Sequence, residues 1–192
     1  MKELLLIGTT IFALTSGTIS AGSVYGSTTP EKPERGNHTS VSVLQRLEIR
    51  AQDAINEAKM EKLREDTIRV DKAIDKLSTH VNKTWYVFSG ATPNGWDCSG
   101  LTMWFYEQLD IELEHRASKQ AKSGQNNKDP KPGDLVVFTY KGSSSAYHVG
   151  IYIGEGNMIH APKHGHLTRI ENVENFGGQY SKISYRTIIK TL

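Results

Sequence analysis

Apolar and polar positions change their period along the chain. From Val41 to about Thr79 there is no Pro or Gly. Apolar residues return there every three or four positions, at Leu44, Leu47, Ala51, Ala54 and Ala58 and again at Val70, Ile74, Leu77 and Val81. That spacing predicts one long helix or a helical hairpin over 41–80, charged on its other faces. After about residue 81 the period shortens. The runs "DLVVFTY" (134–140), "HVGIYIG" (148–154), "NMIHAP" (157–162), "LTRIEN" (167–172) and "SYRTIIK" (184–190) are β-type and separated by breaks containing Gly or Pro. They predict about five strands. Before them, Leu101, Trp104, Phe105 and Leu109 fall on one helical face. A second short helical stretch runs from about Ser118 to Lys122. Helices followed by a meander of strands predict an α+β fold, an antiparallel sheet covered on one face by helices.

The ends of the helical segment are marked by composition. Residues 27–40, "STTPEKPERGNHTS", mix Pro, Gly, Ser and Thr with charges and have no hydrophobic period, which predicts a flexible linker. Upstream, Lys2, an apolar stretch from Leu4 to about Ile19 and small residues at Ser20, Ala21 and Gly22 give residues 1–26 the pattern of a secretory signal peptide. The stretch is short for a permanent span, which wants roughly 20 apolar residues. Uncleaved anchor and merely apolar N-terminus remain open beside the signal reading. The expected order is therefore signal peptide 1–26, linker 27–40, charged amphipathic helical segment 41–80 and main domain 81–192. The helical segment packs on that domain or self-associates, and its heptad-like runs are too few for a coiled coil. The oligomeric state is not readable.

Composition narrows the partners. With 192 residues and 37% hydrophobic content, the chain can bury one ordinary core. The net charge of +2, without long blocks of one sign, gives no argument for nucleic acid, and signal cleavage would leave no stable membrane insertion. The single cysteine excludes an internal disulfide, so oxidation offers no structural reason for it.

That cysteine, Cys98, lies in "GWDCSGLTMWFYEQLD". The helical face begins just after it, so Asp97 is expected as N-cap, with Cys98 in the first turn. Free amides and the helix dipole there would favour a thiolate and could donate to an oxyanion. Considered alone, a lone cysteine is more often a small buried hydrophobe. A nucleophile needs a base, and the chain has seven histidines, at 38, 80, 115, 148, 160, 164 and 166. His38 and His80 are expected to be solvated. His148 opens one strand and His160 sits in the next. If the intervening loop is Gly154-Glu155-Gly156, Ile153 faces Asn157, and His148 and His160 share a face. A two- or four-residue loop would separate them. The shared face gives a complete set: Cys98 as nucleophile, His148 as base and His160 as the group that orients the imidazole. Two unrelated strand histidines remain the plain alternative. "HAPKHGH" also offers His160, His164 and His166 to a metal, but no His-Glu-x-x-His or paired-cysteine motif accompanies them, and no metal or cofactor is expected.

"WYVFSGATPNGWDCSGL", "KPGDLVVF" and "HVGIYIGEGNMIHAP" resemble, in order and spacing, the NlpC family of papain-like cysteine endopeptidases, over roughly residues 81–190. The resemblance implies a papain-like α+β fold and a secreted or cell-wall-associated hydrolase acting on stem peptides of bacterial peptidoglycan. It implies the D-γ-glutamyl to diamino-acid bond as the bond cut, Cys98 as nucleophile, His148 as general base and acid, and His160 as third member. Tyr86 matches a cleft tyrosine that assists the oxyanion pocket. Asp97, Ser99 and Gly100 match the surroundings of the nucleophile, where substrate binds. Gly133 and Asp134 match a structural turn into the first central strand. The chain departs from the family at Ser89-Gly90 and at "LEHRAS" (113–118), both near substrate-binding positions. A wall amidase or acyltransferase on the same scaffold and a non-catalytic wall-associated module are the alternatives.

Overall fold

The computed structural model describes residues 42–189, so the expected signal peptide 1–26 and linker 27–40 lie outside the described residues. Helix α1 runs unbroken from Val43 to Ser78. It starts at a capping box in which the Ser42 hydroxyl accepts from the Gln45 backbone and the Gln45 side chain accepts from the Ser42 backbone. The two apolar runs therefore belong to one helix and not to a hairpin, and they have different fates. Asp66, Val70, Ala73 and Leu77 are buried, whereas Leu44 and Leu47 are 71% and 55% exposed.

A two-stranded ribbon, β1 (Ala91–Thr92) and β2 (Gly95–Trp96), leads into α2 (Cys98–Glu107) and α3 (Ala117–Gln120). Six further strands follow: β3 (Gln125–Asn127), β4 (Leu135–Tyr140), β5 (Ala146–Gly154), β6 (Asn157–His160), β7 (Arg169–Asn172) and β8 (Ser181–Thr187), with the short α4 (Val173–Gly177) between the last two. They form one antiparallel sheet in the order β3-β8-β4-β5-β6-β7. The α+β architecture matches the expectation, and the main sheet has six strands where five were expected. The extra one, β3, is polar ("QNN") and sits at the sheet edge, where pairing needs no hydrophobic alternation.

Alternation along the central strands sorts the core to two faces. On one face Val137, Val149, Ile151, Ile159 and Ala161 join Leu77 of α1 and Leu101, Trp104 and Phe105 of α2. On the other Val136, Phe138 and Met158 meet Val173 and Phe176 of α4. His80, expected in solvent, instead packs edge-on against Trp96 and Trp104, each with ring centroids 5.3 Å away. Burial lowers its pKa, ahead of the nearby Lys83 and Lys76 charges.

Candidate active site

Asp97 caps α2 as its sequence position predicts, and it gathers more than one amide. Oδ1 accepts from Gly100 N (2.8 Å) and Ser99 Oγ (2.9 Å) and contacts His115 Nε2 (3.0 Å), while Oδ2 accepts from Ser89 N (3.1 Å). This one carboxylate ties the start of α2 to the segment before β1 and to the 113–118 segment. Ser99 is buried and its hydroxyl is committed to Asp97. Gly100 permits the close approach: a Cβ there would lie 2.0 Å from Gly90 O.

Cys98 opens α2, with its sulfur toward the backbone N–H groups of Val149, Ser99 and Cys98 itself. Val149 follows His148 in β5, so the thiol abuts the strand that carries the expected base. The expected thiolate does not result. Burial, then the Asp97 charge, pushes the thiol pKa up to about 11, outweighing the three amides. The helix start supplies the amides, but packing against β5 removes the water that a resting thiolate would need. Tyr86 lies near the same sulfur. Burial raises its pKa, followed by the Cys98 and Asp97 charges.

The two strand histidines do meet. His148 Nε2 and His160 Nδ1 are 2.8 Å apart, with both side chains buried. The turn between their strands differs from the expected three-residue loop. Gly154 pairs with Asn157 across a two-residue turn, Glu155 and Gly156, with φ of 50° and 73°. Such a turn alone would put the histidines on opposite faces. A bulge between Tyr152 and Gly154 supplies the missing residue, so Ile151 faces Ile159 and Tyr152 faces Met158. That is the register the shared face requires. Gly150 lies opposite His160, where a Cβ would come within 3.2 Å of His160 Cβ and 2.9 Å of the Met158 sulfur. Phe176 of α4 covers both imidazoles at ring-centroid distances of 4.6 Å.

Burial pushes the His148 pKa well below its ordinary value, and the neighbouring His160 adds to this. His160 is lowered to about 3, by burial first and the Arg169 charge second. Both rings are therefore neutral at neutral pH. A residue that the sequence reading did not single out completes the row: Glu171 of β7 places Oε2 3.1 Å from His160 Nε2. Both His160 nitrogens are thus engaged. Met158 pairs with Glu171 and His160 with Arg169, so the His160–Glu171 contact is a diagonal one on a single face. That register was the only signal that could have found it. Of the other histidines, His166 contacts Arg169 through its Nδ1 and accepts from Tyr86 N through its carbonyl (2.9 Å). Among the described residues no group of three or more His, Cys, Asp or Glu side chains is placed to hold a metal ion.

Known proteins resemble this chain. A probable endopeptidase of Mycobacterium bovis is 39% identical over 102 residues, covering 52% of this chain and 26% of its own length. A γ-D-glutamyl-L-lysine dipeptidyl-peptidase of Bacillus subtilis is 37% identical over 83 residues, covering 42% of this chain and 28% of its own. The chain thus spans about a quarter of the length of these curated relatives. Among solved structures, the NlpC/p60 domain of the peptidoglycan hydrolase SagA superposes with a TM-score of 0.53 at 27% identity, covering 62% of this chain and 98% of that one. The NlpC/P60 family model matches residues 83–188, more than half of the chain and all of the elements from β1 to β8, and on that match the chain belongs to the NlpC/P60 family.

Proposed function

We propose that the protein is a cysteine-type peptidase that hydrolyses stem peptides of bacterial peptidoglycan at the bond between D-γ-glutamate and the diamino acid, acting outside the cell or at the wall. The observation that carries this reading is the 2.8 Å contact between His148 and His160 on the strand whose Val149 amide faces the Cys98 sulfur. The relative named for γ-D-glutamyl-L-lysine cleavage supports the choice of bond. The expected signal pattern in residues 1–26 supports export.

With His148 Nε2 engaged by His160, Nδ1 is the ring nitrogen left for the thiol. The thiol keeps its proton at rest, so His148 takes it as the sulfur attacks the stem-peptide carbonyl. The oxyanion is held by the Cys98 backbone N–H and the Tyr86 hydroxyl. The imidazolium then protonates the leaving amine and the C–N bond breaks, leaving a thioester. A water deprotonated by the same ring hydrolyses that thioester and restores the thiol. Asp97 and Ser99 hold the helix start in place and border the substrate. No metal or cofactor takes part.

The test is digestion of defined peptidoglycan with mass spectrometry of the fragments. The wild type should release fragments cut after D-γ-glutamate. Cys98→Ala should release none while keeping the wild-type circular dichroism spectrum. An active, chelator-sensitive Ala variant would refute the mechanism, cuts between sugar and stem would mark an amidase, and tight wall binding without cleavage would mark a binding module.

A further inference from the structure

An imidazole can serve as a base only through a nitrogen that carries no proton, and a neutral ring has one such nitrogen. Which one it is in His148 is not decided at His148. Its Nε2 faces His160 Nδ1 at 2.8 Å, and two neutral rings can share that contact with the proton on either side. The next contact removes the ambiguity. His160 Nε2 lies 3.1 Å from Glu171 Oε2, and an ionised carboxylate only accepts. His160 must therefore carry its proton on Nε2, which leaves Nδ1 bare. His148 must then carry its proton on Nε2, and Nδ1 is left free to accept from a thiol. A donor at position 171 would reverse every step and leave His148 with a protonated Nδ1.

We infer that Glu171 is the positioning residue that fixes the tautomers of His160 and His148, and so makes His148 Nδ1 a base. The inference rests on the Cys98, His148 and His160 reading above. The carboxylate is itself held: Arg169 Nη1 lies 3.8 Å from the same Oε2, and Arg169 also contacts His166. Its side chain is 30% exposed, whereas the two rings are buried. When His148 becomes imidazolium in the reaction, its Nε2–H donates to His160, whose Nε2–H donates to Glu171. The negative end of the row thus faces the charge that develops.

The experiment combines ¹⁵N NMR of the imidazoles with steady-state kinetics on a soluble stem peptide at pH 7.5, for the wild type, Glu171→Gln and Glu171→Met. In the wild type both His148 and His160 should be protonated at Nε2 and bare at Nδ1. Glu171→Met removes the acceptor. It should bring the reversed tautomer into both rings and lower kcat roughly 10- to 100-fold with little change in KM, the size typical of partners that orient a functional side chain. Glu171→Gln keeps an acceptor oxygen, which the donor-only Arg169 holds toward His160. It should retain the wild-type tautomers and stay within about threefold in kcat. Wild-type rings protonated at Nδ1, or a Met variant with unchanged tautomers and kcat, would overturn the inference. If Cys98→Ala remained active, the catalytic reading would fail instead, whereas the NMR arm would still decide what Glu171 does to the two rings.

Discussion

Burying two neutral histidines makes the fold sensitive to acid in a calculable way. His160 has a pKa of about 3 in the folded chain, against an ordinary value near 6.5 when unfolded. As pH falls below about 6.5 the unfolded chain takes up a proton that the folded site refuses, so acid favours unfolding. The stability tied to this group is present above about 6.5 and is lost as pH falls toward about 3. At pH 5 the unfolded ring lies about 1.5 units below its pKa, which costs the fold about 2 kcal/mol at roughly 1.4 kcal/mol per unit. His148, also lowered by burial, adds a loss of the same sign. The groups facing His160 are His148, Glu171 and, beyond the carboxylate, Arg169, with the Phe176 ring closing the apolar side.

The perturbation is His160→Gln, which removes the titrating ring and keeps a side chain able to accept from His148. Urea unfolding of both proteins at pH 7.5 and 5.0 gives four free energies. The wild type should lose about 2 kcal/mol more between the two pH values than the Gln variant, whatever the variant costs at pH 7.5. Carboxylates that titrate in this range are common to both proteins and cancel in the difference. Equal pH dependence for the two proteins would refute the claim that His160 is buried neutral. A variant more acid-sensitive than the wild type would mean that His160 is held protonated by Glu171.

Two further outcomes test how the scaffold places the cysteine. Leu77→Ala, at a fully buried position of α1, should lower the unfolding free energy by about 2–5 kcal/mol, whereas Leu47→Ala, near the other end of the same helix and exposed, should change it by less than about 0.5 kcal/mol; urea titration compares them. Gly100→Ala should cost about 1–3 kcal/mol and reduce hydrolysis, because the new methyl would meet Gly90 O at 2.0 Å and push the start of α2 off the segment that Asp97 ties to it; thermal melts and the fragment assay read both.

The place of Cys98 at a helix start was legible because two independent local signals coincide at residue 97: a good N-cap and the start of a 3.6-residue apolar period. The sharing of a face by His148 and His160 was legible because strand alternation is strict and Gly154 and Gly156 bracket a short turn. The turn itself was not, since a two-residue turn with a bulge and a three-residue loop give the same register. His80 was misplaced for a different reason. It ends a highly charged helix, and only the packing of α1 on α2 brings Trp96 and Trp104 to its ring.

The electrostatics were the least legible part, and the direction of the miss is informative. A helix start by itself predicts a lowered thiol pKa, because local sequence counts the amides that point at the sulfur. It does not count the desolvation that β5 imposes, and here desolvation prevails. In the proposed mechanism a half-buried thiol that hands its proton to a buried neutral imidazole depends on the imidazole's tautomer far more than a preformed thiolate would, since the proton must move during the attack. That dependence passes through His160 to Glu171, whose register is set across the segment 161–168 by pairing that no local pattern dictates. The groups that the proposed mechanism assigns to activating Cys98 are therefore distributed over three strands, and the last of them lies 73 positions along the chain from the sulfur.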